Sequence, residues 1–180
     1  MSPATECAAA APPLYGVPGT AGERTFLMVK PDGVARGVVH DIIRRWEQRG
    51  YTLVGIKILQ PDRALVGAHY ADLSARPFFK DLCAYMSSSG PVVAMVWQGK
   101  DVIKVSRMMI GATNPLASAP GTVRADLAVN VGRNIIHGSD GEEGARSEIP
   151  LWFKEGEIVN IDSTKWPHFV GLYLYDTKQA

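Results

Sequence analysis

Short β-rich runs alternate with amphipathic helical patterns over most of this chain, and this alternation restricts the fold more than any other feature. Four segments are predicted strands: 25–30, 51–59, 92–97 and 127–131. Five segments are predicted to be helical in whole or in part: 38–46, 61–73, 78–86, 102–110 and 142–153. One sheet with helices packed against it satisfies this order, so we expect an α/β or α+β sandwich.

The chain has 180 residues, which is typical of a single domain. Residues 1–24 contain six Ala, four Pro and three Gly but only three charged residues. Because such a segment can bury little apolar surface, residues 1–22 are predicted to form a mobile tail. The tail lacks the continuous apolar stretch of a secretory signal, and the absence of any arginine before Arg24 argues against a mitochondrial presequence.

Charge and cysteine content restrict the partners and the compartment. Lys plus Arg number 19 and Asp plus Glu 18, so we expect no broad basic surface for nucleic acid, and any anion site must be local. The longest apolar run, residues 91–97, falls far short of the roughly 18 residues of a membrane span. Cys7 and Cys83 form no disulfide framework, which predicts a reducing, cytoplasmic location.

A long polar stretch, residues 107–140, joins two predicted helices and carries most of the reactive side chains. Connections of this length are often functional. Arginine, threonine and asparagine side chains in it offer donors that suit phosphate oxygens: Arg107, Thr113, Asn114, Arg124, Arg133 and Asn134. Composition alone leaves two interpretations open, an anion site and a solvated surface loop.

His137 follows two isoleucines and precedes Gly138, in a context where the imidazole is held rather than free in solvent. Ser139 and Glu142 have the spacing of a capping box, which predicts a helix N-terminus beside the ring, where backbone N–H groups favour a phosphoryl group. Glu148, eleven residues after His137, could return to orient one ring nitrogen. A lone histidine is more often a core or surface residue, and on these grounds that alternative stays open.

Several other kinds of site are excluded by missing motifs. The four histidines and two cysteines show no metal-ligand spacing. The chain has no Gly-x-x-x-x-Gly-Lys-Ser/Thr loop, no Gly-x-Ser-x-Gly elbow, and no His-Arg-Asp with Asp-Phe-Gly pair. What remains is a histidine with arginines around it.

Seven motifs occur in the order seen in nucleoside diphosphate kinases, and the chain resembles that family from Glu23 to Trp166. They are VKPDGVARG, HYADL, RPFF, GPVVAMVW, GATNP, GTVRAD and VGRNIIHGSD. The resemblance implies an α+β, ferredoxin-like sandwich with a four-stranded antiparallel sheet covered by helices. It implies a kinase domain over 23–169, followed by an extension over 170–180. It also implies a homo-oligomer, a hexamer in many members and a tetramer in some bacterial ones, that requires no nucleic acid.

The reaction implied by this resemblance is ping-pong transfer of the γ-phosphoryl group of a nucleoside triphosphate to a nucleoside diphosphate, through a phosphohistidine, with Mg²⁺ on the phosphates. His137 matches the nucleophile, Glu148 the residue that hydrogen-bonds its ring, and Ser139 and Tyr70 the residues beside the site. Asp140 could reach the metal through water.

The same comparison of motifs implies the nucleotide-binding residues. They are Lys30 and Asn134 for the sugar 3′-hydroxyl, Phe78 for stacking on the base, and Arg107, Thr113 and Arg124 for the phosphates.

The chain also departs from the family pattern. Ala112 stands where many members have Glu, and residues 87–90 are one residue longer than usual. Pro150 follows Glu148 by two residues and disfavours helical geometry at Ile149, which puts the orientation of Glu148 in question. A second interpretation is a scaffold or nucleic-acid-binding role on the same fold. Since all the matching site residues are present, that role would be minor or additional.

Overall fold

A computed structural model describes residues 13–161 of the chain. Residues 1–12 of the predicted tail and the predicted extension over 170–180 lie outside the described residues. The elements are β1 (Arg24–Val29), α1 (Pro31–Ala35), α2 (Val39–Gln48), β2 (Thr52–Leu59), α3 (Arg63–His69), α4 (Phe79–Ser88), β3 (Val92–Gln98), α5 (Val102–Ile110), α6 (Val123–Leu127), β4 (Ile136–Gly138) and α7 (Glu142–Trp152), with 3₁₀ turns at Ala71–Leu73 and Pro115–Ala117.

The four strands form one antiparallel sheet in the order β2-β3-β1-β4. Strand β1 pairs along its whole length with β3, with Leu27 opposite Met95, and its other edge pairs with β4, where Met28 lies opposite His137. This arrangement confirms the predicted four-stranded antiparallel sheet covered by helices. It also places His137 next to the most buried strand of the domain.

Every residue of β1 and β3 is buried, so both faces of these strands are covered. Helix α2 buries Ile42 and Trp46, the latter next to Trp97 of β3. The indole N–H of Trp46 donates to Oγ of Ser106 on α5 at 2.8 Å, so its polar atom is satisfied within the core. The sheet is therefore a rigid support for the residues that follow β1 and β4.

The strand predicted over 127–131 is wrong. Leu127 is the last residue of α6, whose N-cap Thr122 accepts a hydrogen bond from the N–H of Ala125. Val129 and Val131 are 82% and 54% exposed, so their apolar character reflects no core position. The fourth strand lies later, at Ile136–Gly138, because the fully buried Ile136 can pair with β1.

Two further local predictions need correction. The helix predicted over 61–73 is interrupted: α3 ends at His69, and a separate 3₁₀ turn covers Ala71–Leu73. Pro150 does not break α7, which continues to Trp152. It lies in the last turn, where its missing N–H costs a single intrahelical bond.

Residues 13–22, part of the segment that composition assigns to the tail, contact the domain. Gly16 forms an isolated antiparallel β-bridge with Glu23, and the carbonyl of Leu14 accepts a hydrogen bond from the buried Arg24. The guanidinium of Arg146 on α7 lies 5.0 Å from the centre of the Tyr15 ring. Within residues 13–161, no helix is long and apolar enough to cross a membrane.

Candidate active site

The site is built where β4 passes into α7. Nε2 of His137 lies 2.8 Å from Oε1 of Glu148, which is on α7, eleven residues later in the chain. The other oxygen of Glu148 accepts a hydrogen bond from Oγ of Ser139 at 2.5 Å, and the same Oγ accepts from the N–H of Phe26. The carboxylate therefore connects β4 with α7 despite Pro150.

The predicted capping box is wrong, because Ser139 has a different partner. The N-cap of α7 is Gly141, with no side-chain cap, and Ser139 is fully buried with its hydroxyl turned to Glu148. The Ser139 hydroxyl therefore hydrogen-bonds within the site and does not cap the N-terminus of α7.

The His137 ring is held neutral. Burial, followed by the positive charges of Lys30, Arg107 and Arg124, lowers the pKa of His137 to about 3, and Asp140 opposes this shift. Burial also raises the pKa of Glu148, a shift that Ser139 opposes by hydrogen bonding.

The two ring nitrogens of His137 are not equivalent. Because Nε2 faces a carboxylate, the neutral ring carries its proton there, and Nδ1 keeps a lone pair. Within residues 13–161, the one hydrogen bond of the His137 side chain is at Nε2, and Nδ1 has no protein partner. The arrangement can therefore offer a neutral imidazole nitrogen as a nucleophile.

Three cationic side chains lie near enough to the His137 ring to lower its pKa. Lys30 is buried and donates to Oδ1 of Asn134 at 2.7 Å, and burial, with the nearby positive charge of Arg124, lowers its pKa to about 8. Arg107 donates to the carbonyl of Gly138 at 3.1 Å. These contacts fix positive charge beside the ring, where it can neutralise phosphoryl oxygens.

Arg124 is the most constrained of the three. Its guanidinium donates to the carbonyls of Asn134, Gly111 and Ile136, at 3.4, 3.2 and 2.8 Å. Three of its five N–H groups are thus occupied by backbone, which leaves two for a ligand. Burial, followed by the charge of Arg107, lowers its pKa to about 10, so it stays charged at neutral pH.

The structure joins most of the predicted site residues and leaves one apart. The carbonyl of Thr113 accepts from the amide of Asn134 at 3.0 Å, and the Tyr70 ring packs edge-on to His137 with ring centres 5.9 Å apart. Phe78, at the N-cap of α4, is 53% exposed, and in residues 13–161 no hydrogen bond or ring contact joins it to the others. Asp140 is exposed.

A strained turn precedes the strand that carries His137. Ile135 has a φ of 71°, and the N–H of Ile136 donates to the carbonyl of Asn134 at 2.8 Å, which is the pattern of a classic γ-turn. Such a conformation costs a β-branched residue about 1–3 kcal/mol and persists only where the surrounding structure holds it. Here Asp32 accepts the N–H of Ile135, and the carbonyl of Ile135 accepts the N–H of Lys30.

Sequence reasoning missed His69 and Trp152. His69 is buried, its ring lies edge-on to His137 with centres 4.4 Å apart, and its Nδ1 accepts the indole N–H of Trp152 at 3.1 Å. The available signals were the His-Tyr pair in the HYADL motif, of which only Tyr70 was used, and the four-residue spacing of Glu148 and Trp152 on one helix face.

The group formed by His69, His137 and Glu148 also has the shape of a metal site, since one ligand atom from each lies within 4.8 Å of the others. These atoms are already hydrogen-bonded: Glu148 to His137 and Ser139, and His69 to Trp152. The group is therefore a hydrogen-bond network rather than an open coordination site.

Comparison with known proteins supports a family assignment. The sequence profile of the nucleoside diphosphate kinase family matches residues 23–158. Nucleoside diphosphate kinase 4, chloroplastic, of Spinacia oleracea is 58% identical over 146 residues, which is 80% of this chain and 62% of that protein. Nucleoside diphosphate kinase B of Flaveria bidentis is 57% identical over 81% of this chain and 97% of its own length.

Solved structures agree with the sequence relatives. The halophilic nucleoside diphosphate kinase of Halobacterium salinarum, in complex with CDP, superposes with a TM-score of 0.75 at 44% identity, over 80% of this chain and 97% of that one. A nucleoside diphosphate kinase family protein from Babesia bovis gives a TM-score of 0.76 at 42% identity, over 80% and 98% of the two chains. The fold, the motifs and these matches agree, and the chain belongs to the nucleoside diphosphate kinase family.

Proposed function

We propose that this protein is a nucleoside diphosphate kinase that transfers the γ-phosphoryl group of a nucleoside triphosphate to a nucleoside diphosphate through a phosphohistidine on His137. The observation that carries the proposal is the neutral His137 ring, whose Nε2 is anchored by Glu148 while Nδ1 keeps its lone pair and three cations lie near the ring. An imidazole in this state is a competent nucleophile at neutral pH.

In the first half-reaction, the lone pair of Nδ1 attacks the γ-phosphorus and the bond to the β-phosphate oxygen breaks. The diphosphate leaves with that electron pair, and Glu148 stabilises the positive charge that develops on the ring. The second half-reaction is the reverse, with a different diphosphate as acceptor. Lys30, Arg107 and Arg124 offset the negative charge of the transferring group.

The remaining site residues bind the nucleotide in this proposal. Lys30 and Asn134, which share a hydrogen bond, hold the sugar 3′-hydroxyl, and Thr113 assists the arginines at the phosphates. The exposed Phe78 stacks on the base. Tyr70 packs beside the phosphoryl site, and its buried hydroxyl has no hydrogen-bond partner among residues 13–161.

A divalent metal, which we propose to be Mg²⁺, binds together with the nucleotide phosphates. Mg²⁺ prefers oxygen ligands and keeps several waters, and its contribution is to neutralise phosphate charge. The nitrogen-rich group of His69, His137 and Glu148 does not fit it, whereas the exposed carboxylate of Asp140 fits a contact through water.

We further propose a homo-oligomer, a hexamer by analogy with the family. Strand β2 lies at an edge of the sheet and exposes Ile56 and Ile58, at 49% and 65%, and an exposed apolar edge strand favours association. A second apolar surface carries Leu116, 81% exposed, with Val129 and Val131.

The cytoplasm remains our proposed location, and the free, buried Cys83 suits a reducing compartment.

Incubation with radiolabelled triphosphate and no acceptor tests the function. We expect release of diphosphate and retention of one phosphoryl group per subunit as an acid-labile, alkali-stable phosphoramidate that peptide mapping assigns to His137. The label should transfer to purine and pyrimidine diphosphates alike, because stacking on Phe78 reads no base edge. Loss of the ribose 3′-hydroxyl should cost far more than a change of base.

The control is His40→Ala, since His40 is an exposed histidine whose side chain is 77% accessible. That variant should label normally, whereas His137→Ala should not label at all. Label on Ser139, or use of one base to the exclusion of the others, would overturn the proposal.

A further inference from the structure

The indole of Trp152 determines which nitrogen of His69 carries a proton. An indole N–H can only donate, so Nδ1 of His69, 3.1 Å away, must accept with its lone pair. Burial is the main cause that lowers the pKa of His69 to about 3, so the ring is neutral. Its single proton therefore resides on Nε2.

This tautomer leaves a polar atom unsatisfied. Nε2 of His69 is buried and has no hydrogen-bond partner within residues 13–161. The opposite tautomer would place a proton on Nδ1, which lies 4.0 Å from Oε1 of Glu148. A small shift would turn that approach into a hydrogen bond to a carboxylate, which is stronger than a bond between neutral groups. Without Trp152, the opposite tautomer would thus be favoured.

The same oxygen of Glu148 is the partner of the nucleophile. Oε1 lies 2.8 Å from Nε2 of His137, and Oε2 is occupied by Ser139. A proton on Nδ1 of His69 would add a second hydrogen bond to Oε1, and because the two donors share the charge of one oxygen, the bond that holds the proton of His137 on Nε2 would weaken. His137 could then carry its proton on either nitrogen. A His137 ring protonated on Nδ1 has no lone pair there for attack.

We propose that Trp152 is a positioning residue that acts through His69: by holding the proton of His69 on Nε2, it reserves Glu148 for His137 and keeps Nδ1 of His137 free. This inference rests on the proposed function of His137 as the nucleophile. The groups that face His69 are Phe26 from β1, His137 from β4, Tyr70 next in the chain, and Glu148 and Trp152 from α7.

The test uses the full chain with ¹⁵N-labelled histidine. In the wild type, long-range ¹H–¹⁵N correlation should show His69 and His137 both protonated on Nε2 only. In Trp152→Phe, His69 should become protonated on Nδ1 and His137 should become a mixture of tautomers. Single-turnover phosphorylation by ATP should slow by about tenfold, the lower end of the loss that is typical when the partner orienting a metal-bound histidine is removed.

The matched control is Trp46→Phe, which also removes a buried indole N–H. The partner of that N–H is Ser106, which has no role in the proposed site. This variant should lose comparable stability but keep the phosphorylation rate and the His137 tautomer. Adding His69→Phe to Trp152→Phe removes the competing donor and should restore much of the rate.

Three outcomes would overturn the inference: a wild-type His69 protonated on Nδ1, equal rate losses in the Trp46 and Trp152 variants, or no recovery in the folded double variant. The first needs no variant, so it decides even if Trp152→Phe fails to fold. Failure of wild-type His137 to label with ATP would instead overturn the proposed function.

Discussion

The carboxylate of Asp32 accepts the backbone N–H of Ile135 at 3.0 Å, across 103 residues of sequence. Its other oxygen accepts the hydroxyl of Tyr85 at 2.7 Å, and the guanidinium of Arg133 lies 3.6 Å from the centre of the Tyr85 ring. Asp32 therefore holds the strained turn that aims Asn134 and His137 into the site. The Pro-Asp-Gly sequence that begins α1 is thus also a support for β4.

Asp32→Ala should both destabilise the fold and slow phosphorylation. The substitution leaves the buried N–H of Ile135 unpaired, which costs about 1–3 kcal/mol, and lets the turn relax away from its φ of 71°. Chemical denaturation and single-turnover phosphorylation measure the two effects. Glu157→Ala removes a carboxylate that also accepts one backbone N–H and one side-chain donor, outside the site, and should leave the rate unchanged. Equal rates in both variants would show that the turn needs no such support.

Glu148→Gln should slow phosphoryl transfer but leave a measurable rate, because Glu148 orients the ring without forming a covalent bond. His137→Ala should remove transfer altogether. Glu143→Gln, an exposed position on the same helix, is the control and should behave as wild type. Equal and total losses in Glu148→Gln and His137→Ala, with native circular dichroism, would make Glu148 a direct participant.

Acid should destabilise the fold before it protonates the nucleophile. His69 and His137 each have a folded pKa of about 3 against 6.5 in the unfolded chain. Below pH 6.5 the unfolded state therefore binds more protons, and the free energy of unfolding decreases as the pH is lowered. Each histidine contributes up to about 1.4 kcal/mol per pH unit. The raised pKa of Glu148 acts in the opposite direction above its ordinary value of 4.5 and reduces the slope, so we expect the effect of the two histidines to be clearest just below pH 6.5.

Denaturant unfolding across this window measures the slope, and His69→Phe should remove about half of it. In the folded protein, the ring protons of His137 should show no NMR titration over the same range. A His137 titration with a midpoint near 6.5 would refute the assigned neutrality.

Two N-terminal deletions should differ from each other. Deletion of residues 1–22 removes the Leu14 carbonyl from the buried guanidinium of Arg24 and the Tyr15 ring from Arg146, so we expect a lower thermal midpoint than that of the shorter deletion, residues 1–12. This revises the expectation from composition that the whole segment is dispensable. Calorimetry of both variants measures the difference, and identical midpoints would restore that expectation.

Ile58→Lys should reduce the mass of the assembly. A charge at this exposed position on edge strand β2 opposes burial against another copy. Light scattering after size-exclusion chromatography gives the mass, with Val17→Lys, at another exposed apolar residue, as the control. An unchanged mass in Ile58→Lys would move the proposed contact away from β2.

The sequence by itself determined the elements whose patterns are local. The apolar runs that form β1 and β3 and the helical repeats of α2 and α5 were predicted nearly to their ends, because side-chain periodicity records which face is buried. Strand β4 was misplaced because three residues are too few to show a period, and the exposed Val129 and Val131 resembled a strand.

The motifs also identified the residues of the candidate site, but only the tertiary structure decided how they meet. Lys30 reaches Asn134 across 104 residues, Trp152 reaches His69 across 83, and Ser139 turns to Glu148 instead of capping α7. The lowered pKa values of His69 and His137 likewise arise from burial and from charges brought in by other elements. Such contacts depend on how the sheet and helices close around one another, so no local pattern in the chain encodes them.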